Sequence, residues 1–547
     1  SFGGRNFGKI TPIGDKGVGS GRAGNVESCI VNIMLAKVKS VATVGLEAVE
    51  VTVEVDVAER GFPAFDIVGL GDKAVSESRA RVKKAIENSG ASFPDKRITV
   101  NLAPADLPKE GSNYDLPIAI GILLANREIE GEIEGYVYGE LGLDGSVKRC
   151  RGTLLVGMLA REKKLSAVYV PIETAAEAAV IPGIIVYPVR NLTELIEHIR
   201  EEKKIEPMKT IEILSLLDDA EPQVDIGEVV GQEVAKRAAE IAAAGGHNLL
   251  LVGPPGAGKT MLAKAFPSIL PPLLPEESLE VTRIYSVAGM LPSGTALMRR
   301  RPFRSPHHTT SMVGLIGGGS NPMPGEISLA HLGVLFLDEL PEFSRSVLEV
   351  LRQPMEDQTV SITRAMGKVQ YPASFLLLAS ANPCPCGYLN HPFKECTCGE
   401  RVINKYRARI SGPILDRIDL HVWVDPVEVN KLTSTDERRE KLDERGENST
   451  QVRERVISAR GKQQMRFTGI RGMYTNAQMG NKQVKIFCKL SEEVKQFLNT
   501  AANKYNLSAR AYFKVIKVAR TIADLEGMEE ILVNHIAEAV QYRENVW

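Results

Sequence analysis

The first patterned part of the chain alternates strand and helix signals. Residues 51–57 (VTVEVDV) and 98–102 place apolar side chains at every second position, which predicts strands with one buried face. Residues 74–88 repeat apolar side chains at helical spacing instead. The apolar face of that helix holds Val75, Val82 and Ile86. We therefore predict an α+β domain over residues 34–205.

The patterning before and after this domain is weaker. Residues 1–33 carry scattered glycines and charges without either period, so we expect an unstructured tail or tag there, with the natural start at Met34. Residues 206–226 are charged and contain proline, which is typical of a linker between domains.

The second half of the chain divides into three segments. Residues 227–425 alternate apolar strands with helical segments, the pattern of a parallel α/β sheet. Residues 426–449 are almost all polar and predict a solvated connection. Residues 450–547 carry helical patterns only, and the strongest lie at 491–504, 508–525 and 533–542. The fold class expected is therefore a multidomain α/β protein.

Composition narrows the function classes. The 547 residues carry a net charge of −1, with 44% hydrophobic and 25% charged side chains, as in an ordinary globular protein. A broad basic excess is missing, so any contact with nucleic acid must come from local basic patches. Apolar runs are too short to cross a bilayer. We expect a cytoplasmic protein with no membrane partner.

A phosphate-binding loop stands out after the apolar run that begins at residue 249. Its pattern is G-x-x-x-x-G-K-T, in which glycines let backbone N–H groups close around phosphates at a helix N-terminus. A chance glycine-rich turn is disfavoured because a strand precedes the motif and a helix follows it. Lys259 would neutralise the β- and γ-phosphates of ATP, and Thr260 would hold Mg²⁺. The predicted nucleotide-binding residues are Gly253, Pro254, Pro255, Gly256, Ala257, Gly258, Lys259, Thr260 and Met261.

A second motif, which is acidic, supplies the carboxylates that ATP hydrolysis needs beside the phosphate-binding loop. Residues 334–337 are apolar and are followed by Asp338 and Glu339, so both carboxylates emerge at the carboxyl end of a buried strand. We predict that Asp338 binds Mg²⁺ and that Glu339 polarises the attacking water, which makes the site a hydrolase. An acidic pair that only caps the next helix is the alternative.

The motifs at 302–309 (PFRSPHHT) and 324–331 (PGEISLAH) resemble those of the YifB/ComM family of magnesium-chelatase-like AAA+ ATPases. The resemblance extends over essentially everything after Met34. It implies an AAA+ core with a C-terminal helical lid and a ring, expected as a homo-hexamer. It also assigns roles by position, with Val230 beside adenine, Asn382 as sensor 1, Arg417 as arginine finger and Arg510 as sensor 2 on the lid over the nucleotide.

The same resemblance implies a DNA branch-migration helicase acting in recombination and natural transformation. Residues 358–372 read as a hairpin, and residues 299–319 as an insert beside it. The candidate DNA contacts are Arg304, Arg364 and Lys368. From the residues alone, positive loop tips fit a phosphate backbone and a plain solvated loop equally well. A motor for metal chelation or for remodelling protein partners is the alternative function.

Four of the seven cysteines lie between residues 384 and 398. They are Cys384, Cys386, Cys396 and Cys398. Four thiolates suit tetrahedral Zn²⁺, but C-x-C pairs are tighter than the usual spacing, so a structural zinc and a reduced, metal-free loop remain equal alternatives. His391 lies between the pairs and could replace one thiolate. The adjacent His307 and His308 are expected to serve structure or DNA contact rather than a metal.

Residues 34–205 resemble the Lon-protease-like domain that this family carries. The local match is PKEGSNYDL from residue 108, which has Asn113 where active enzymes carry the nucleophilic serine. Ser112 falls one position early, and the partner lysine position corresponds to Leu154. A Ser–Lys dyad needs both members, so we expect a scaffold without peptidase activity.

Overall fold

The computed structural model describes residues 35–58, 62–69, 71, 73–107, 109, 111–217, 224–319, 322–364, 367–426, 447–470 and 472–543, without the side chains of residues 73, 364 and 367. The tail expected at 1–33 and most of the polar connection at 426–449 lie outside these residues. Among the helices described, none has the length and apolar character that a membrane crossing requires.

The N-terminal region contains two sheets, a short hairpin and six helices. The strands are β1 (Leu35–Val44), β2 (Glu47–Val57), β3 (Ala64–Val68), β4 (Arg97–Ala103), β5 (Gly135–Val137), β6 (Glu140–Leu141), β7 (Val147–Lys148), β8 (Ala167–Pro171) and β9 (Ile185–Val189). The helices are α1 (Lys73–Asn88), α2 (Asp115–Ala125), α3 (Thr153–Glu162), α4 (Ala175–Ala179), α5 (Leu192–Ile199) and α6 (Ile213–Leu217).

Alternating burial explains the larger N-terminal sheet. It has the order β1-β2-β4-β3, and only β3 and β4 run parallel. The predicted strands at 51–57 and 98–102 and the predicted helix at 74–88 are confirmed in β2, β4 and α1. Val75, Val82 and Ile86 are buried against the sheet. Within the expected linker at 206–226, α6 packs on the second N-terminal core.

Among its described residues, the middle region has nine strands, of which five form one sheet and four form two hairpins. Its strands are β10 (Leu249–Val252), β11 (Phe303–Arg304), β12 (Gly317–Gly318), β13 (Met323–Pro324), β14 (Val334–Leu337), β15 (Thr359–Arg364), β16 (Gly367–Pro372), β17 (Leu376–Ala381) and β18 (Leu420–Trp423). Its helices are α7 (Glu233–Gly245), α8 (Lys259–Ala265), α9 (Pro275–Ala288), α10 (Met312–Ile316), α11 (Glu326–Leu329), α12 (Arg345–Val350), α13 (Arg352–Asp357), α14 (Glu400–Arg407) and α15 (Gly412–Leu415).

The sheet order in this region is β11-β14-β17-β10-β18, and every pair is parallel. The strands β10, β14 and β17 are wholly buried, which explains why their sequences are continuous apolar runs. Since parallel strands end at one edge, the loops after these three strands meet there. The hairpin predicted at 358–372 is confirmed as β15 and β16.

The C-terminal region contains helices and no strand among its described residues. Its helices are α16 (Ser449–Arg466), α17 (Asn481–Phe487), α18 (Glu492–Lys504), α19 (Ala509–Leu525) and α20 (Val533–Gln541). The three predicted helices are confirmed, and Ser491 and Ser508 cap α18 and α19 as serine does at helix starts. A buried ion pair between Lys514 and Asp419, 2.7 Å, fastens α19 to the core ahead of β18.

The N-terminal region is docked onto the core through the turn between β1 and β2 and through α9. Arg283 on α9 donates to the Leu46 carbonyl, 2.5 Å. Gly45 in the turn has φ +59°, and a β-carbon there would lie 2.5 Å from Val369 of the hairpin. Buried Glu177 accepts a hydrogen bond from Ser286, and its burial raises the pKa of this carboxyl to about 7.

Candidate functional site

The loop between β10 and α8 is shaped by its glycines. Gly256 and Gly258 have φ values of +79° and +86°, a left-handed conformation that glycine adopts without strain. At Gly253 the reason is space, because a β-carbon would lie 2.2 Å from the Val424 carbonyl oxygen. The loop therefore opens its backbone toward the start of α8, where the helix dipole favours an anion.

Lys259 and Asn382 come from two separate motifs and meet in the structure. The Lys259 ammonium donates to the carbonyls of Gly253 and Pro254, at 2.6 and 2.9 Å, and to Asn382 Oδ1 at 3.1 Å. Burial lowers the pKa of Lys259 to about 8, against the opposing attraction of Asp338 and Glu339. This ammonium is positioned to exchange carbonyl partners for phosphate oxygens.

Thr260 and Asp338 form the second contact of the site. Thr260 Oγ1 donates to Asp338 Oδ2 at 2.9 Å, so a hydroxyl and a carboxylate face each other across the end of the sheet. These are the oxygen ligands that Mg²⁺ prefers in proteins, and the pair fits the predicted metal position.

Ser380, near the end of β17, was not predicted from the sequence. Its hydroxyl donates to Asp338 Oδ1, and it accepts the backbone N–H of Glu339 at 3.2 Å. Ser380 is the one polar residue in an otherwise apolar strand just ahead of Asn382, and this pattern could have marked it as a site residue. Ser380 therefore fixes the acidic pair relative to β17.

Glu339 lies at a left-handed backbone position, with φ +52°. Its side chain is 56% exposed, and His308 Nδ1 lies 3.9 Å from Glu339 Oε2. The rings of His307 and His308 are 4.0 Å apart. The loop carrying the family motif at 302–309 thus reaches the acidic pair, a contact that the sequence did not predict.

Gln232 anchors the segment ahead of α7. It too has a left-handed backbone, φ +63°, and its amide donates to the carbonyl oxygens of Ala257 and Asp425, at 3.1 and 2.5 Å. Val230, predicted beside adenine, is half-buried two residues earlier, and Met261 on α8 is exposed. Gln232 therefore ties the predicted adenine segment directly to the phosphate-binding loop.

Arg417 and Arg510 lie together, but away from this loop. Both guanidinium groups contact Glu356 Oε1, Arg417 at 2.5 Å and Arg510 at 3.3 Å. The Arg417 carbonyl accepts from Asn248, the residue just before β10, so the pair sits at the amino edge of the sheet. The resemblance implied a place over the nucleotide for Arg510. In its own chain it lies at the opposite edge, because α19 packs on α7 and the start of β18.

These arginines line a cavity of about 700 Å³ between the core and the C-terminal helices. Its charged lining includes Glu356, Asp357, Arg417, Arg510, Lys514 and Lys517. Because side chains of both charges line this cavity, it is suited to contact with a polar surface rather than to binding an apolar ligand.

The predicted DNA contacts have different environments. Arg304 donates through two nitrogens to Glu326, at 2.6 and 2.7 Å, so this side chain is committed to an internal ion pair. Lys368 is exposed next to the hairpin tip. The side chain of Arg364 lies outside the described residues.

The structure brings the four clustered cysteines together. Their sulfur atoms all lie within 4.8 Å of one another. His391 does not join them, because its Nδ1 accepts the backbone N–H groups of Phe393 and Lys394 at 3.0 and 3.1 Å.

The serine of the N-terminal region has a carboxylate partner. Ser112 Oγ donates to Glu140, and Asn113 donates to the Val41 carbonyl, 3.4 Å. Leu154 is buried on α3, and Lys109 is buried with its ammonium on the Pro104 carbonyl. Burial lowers the pKa of Lys109.

Comparisons with known proteins cover most of the chain. Residues 225–432 match the family model "Magnesium chelatase, subunit ChlI", residues 53–174 match "Subunit ChlI of Mg-chelatase", and residues 446–543 match "Magnesium chelatase, subunit ChlI C-terminal". A more distant likeness, 25% identity over 221 residues, is to DNA replication licensing factor mcm-6 of Caenorhabditis briggsae, of which 25% is covered.

Two relatives match along nearly their whole length. The chain is 41% identical over 515 residues to competence protein ComM of Haemophilus influenzae, covering 93% of this chain and 97% of that protein. It is 40% identical over 513 residues to YifB of Salmonella typhimurium, with the same coverage. The chain therefore belongs to the YifB/ComM family of magnesium-chelatase-like AAA+ proteins.

Proposed function

We propose that this protein is an ATP-hydrolysing motor that assembles as a homo-hexameric ring and drives branch migration of DNA. The observation that carries the proposal is the separation of two half-sites. Lys259, Thr260, Asp338 and Asn382 converge at the carboxyl edge of the parallel sheet, while Arg417 and Arg510 share Glu356 at the amino edge.

The carboxyl edge supports nucleotide binding and hydrolysis. Lys259 would bind the β- and γ-phosphates, and Thr260 with Asp338 would hold Mg²⁺, which neutralises phosphate charge when bound. Glu339 is exposed beside them and would accept a proton from the attacking water. Asn382, already within 3.1 Å of Lys259, would orient that water.

The amino edge supports a ring. An arginine that completes an ATP site must reach the transferred phosphate, and these two face away from the loop of their own chain. A neighbouring copy whose carboxyl edge faced this amino edge would receive both arginines. Head-to-tail contacts of this kind close into rings. The C-terminal helices would then act as a lid that belongs to the neighbour's nucleotide.

DNA as the substrate rests on two supports. The relative from Haemophilus influenzae is named a competence protein, and Lys368 stands exposed beside the tip of the β15–β16 hairpin. Arg299 and Arg300 add exposed positive charge on the neighbouring insert. Such contacts bind a phosphate backbone without reading its sequence.

We assign the N-terminal region to a Lon-like scaffold without peptidase activity. The hydrogen bond from Ser112 to Glu140 supports this assignment, because a nucleophilic serine of this type needs a lysine as its base.

The test is ATP-dependent conversion of a labelled four-way DNA junction by the full-length protein with Mg²⁺. Wild type should convert the junction, and Lys259→Ala should lower hydrolysis at least about a hundredfold because the phosphate charge loses its partner. Lys264→Ala is the matched control, since Lys264 is exposed on the same helix.

Each rival function gives a different result in this assay. Hydrolysis without junction conversion would exclude the branch-migration function and favour a motor for chelation or protein remodelling. If the wild-type protein did not hydrolyse ATP, the motor function itself would be excluded. Cleavage of casein in parallel would contradict the scaffold assignment.

A further inference from the structure

The segment between β17 and α14 has no regular element of its own. From residue 382 to residue 399 the described backbone forms only turns and bends. Phe393, its large apolar side chain, is 78% exposed. A loop of this length with so little buried apolar surface needs another source of order.

Four thiols supply a geometry for that order. The Sγ atoms of Cys384 and Cys386 are 3.4 Å apart, and each lies 3.6 Å from Cys396 Sγ. All four sulfur atoms, including that of Cys398, lie within 4.8 Å of one another. Four sulfurs bound to one Zn²⁺ at about 2.3 Å would be about 3.8 Å apart, close to these values.

Other pairings of these thiols fit less well. A disulfide brings two sulfurs to about 2.05 Å and leaves no reason for four to converge. Iron–sulfur clusters distribute their four cysteines over two or four irons, which spreads the sulfurs further than one ion does. Soft thiolate ligands in a tetrahedral set select zinc among common divalent ions.

Backbone donors also reach one sulfur of the cluster. Backbone N–H groups of Tyr388 and Thr397 donate to Cys386 Sγ. Hydrogen bonds of this kind stabilise metal-bound thiolates and orient them. The ligand atoms that converge are the four sulfurs, and His391 is not among them.

The same segment touches the candidate ATP site at two points. Cys384 is buried two residues after Asn382, which accepts from Lys259 at 3.1 Å. Gly387 has φ +83° and lies against Pro255 of the phosphate-binding loop, where a β-carbon would be 2.6 Å from Pro255 Cδ. A cluster that fixes Cys384 and Cys386 therefore fixes both neighbours of that loop.

We propose that Cys384, Cys386, Cys396 and Cys398 bind one structural Zn²⁺, and that this site braces the phosphate-binding loop through Gly387 and Asn382. The zinc site goes beyond the proposed motor function and does not depend on it. The brace rests on nucleotide binding by the loop, and it is tested by a separate measurement.

Zinc content of the full-length protein, purified without chelators, tests the site. We expect about one zinc per chain in wild type and in Cys150→Ala, whose thiol is buried elsewhere, and below about 0.2 in the double variant Cys396→Ser/Cys398→Ser. Cobalt-substituted wild type should show thiolate charge-transfer bands and the visible bands of tetrahedral Co²⁺, which needs no variant to fold. Equal zinc in wild type and the double variant, or cobalt spectra without thiolate bands, would overturn the site.

Binding of a fluorescent ATP analogue tests the brace. Gly387→Ala should keep its zinc and bind the analogue about tenfold more weakly, since its β-carbon displaces Pro255. Removing zinc from wild type should weaken binding by a similar factor, and restoring zinc should recover it. Unchanged binding in both cases would overturn the brace while leaving the zinc site standing. Absence of binding in zinc-loaded wild type would instead contradict the proposed motor.

Discussion

The two edges of the five-stranded sheet present different groups of polar side chains. At the carboxyl edge, Lys259 and Thr260 are already paired with Asn382 and Asp338, and the site has the glycines and dipole to receive phosphates. At the amino edge, strong cations are present without any phosphate-binding loop. The difference supports the proposed arrangement, in which one chain would hold a nucleotide and a neighbouring chain would complete its hydrolysis.

Removal of the Arg417 guanidinium gives the largest expected effect on this comparison. Arg417→Ala should lower ATP hydrolysis about a hundredfold to a thousandfold, because transition-state charge loses a cation, while binding of the ATP analogue stays near wild type. The steady-state rate of ATP hydrolysis and the affinity for the ATP analogue are measured on the same preparation. Arg345→Ala, an exposed arginine on α12, should match wild type.

Mixing two inactive variants sharpens the same test. Equal amounts of Lys259→Ala and Arg417→Ala should regain hydrolysis, since an intact loop in one chain meets an intact Arg417 in the next. If the two variants mix at random, about a quarter of the contacts between neighbours join an intact loop to an intact Arg417. A mixture as inactive as its parts would show that Arg417 does not act between chains.

The pH dependence of ATP binding tests the carboxyl edge. The pKa of Lys259 is lowered to about 8 by burial, so the charged fraction of the free protein falls as pH rises through 8. Phosphates favour the charged form, so affinity should fall about tenfold from pH 7 to pH 9, with proton uptake on binding at the higher pH. Titration calorimetry in buffers of different ionisation enthalpy measures that proton. Lys259→Arg should flatten the dependence, and a steep dependence in that variant would assign the effect to another group.

Neutralising Glu356 should have the smallest effect. In the proposed ring, Glu356 would compete with a neighbour's phosphates for Arg417 and Arg510, both of which it contacts within one chain. Glu356→Gln should lower the protein concentration at which ATP drives assembly by about two- to fivefold, the range of a partly exposed ion pair. Sedimentation with ATP measures this midpoint. Asp357→Asn, the exposed neighbour, should leave it unchanged, and a higher midpoint in Glu356→Gln would make Glu356 a support for the arginines instead.

Much of the carboxyl edge could be predicted from the sequence, because its signals are local. The phosphate-binding loop and the acidic strand end each occupy a few adjacent residues, and parallel strands bring such ends together. Ser380 escaped prediction because its role depends on which strand lies beside which. His308 escaped for the same reason, since its loop returns across the sheet end from β11.

The amino edge was less predictable. The family resemblance marked Arg510 as a phosphate contact, yet its position depends on how α19 packs against α7, which no local pattern encodes. The cysteine spacing left two alternatives open because closure of the cluster depends on the path of residues 387–395. The ion pair of Arg304 with Glu326 was equally unpredictable, because the two residues lie in different elements; contact of Arg304 with DNA stays a prediction.

Gly45 gives the N-terminal region a mechanical part in any motion of the core. Because the β1–β2 turn rests on Val369, the β15–β16 hairpin is backed by a rigid sheet instead of by solvent. A hairpin backed in this way can push only as far as that contact yields, or else it must carry the whole N-terminal sheet with it. In the proposed motor, this turn would limit how far the hairpin can move before the N-terminal sheet moves with it.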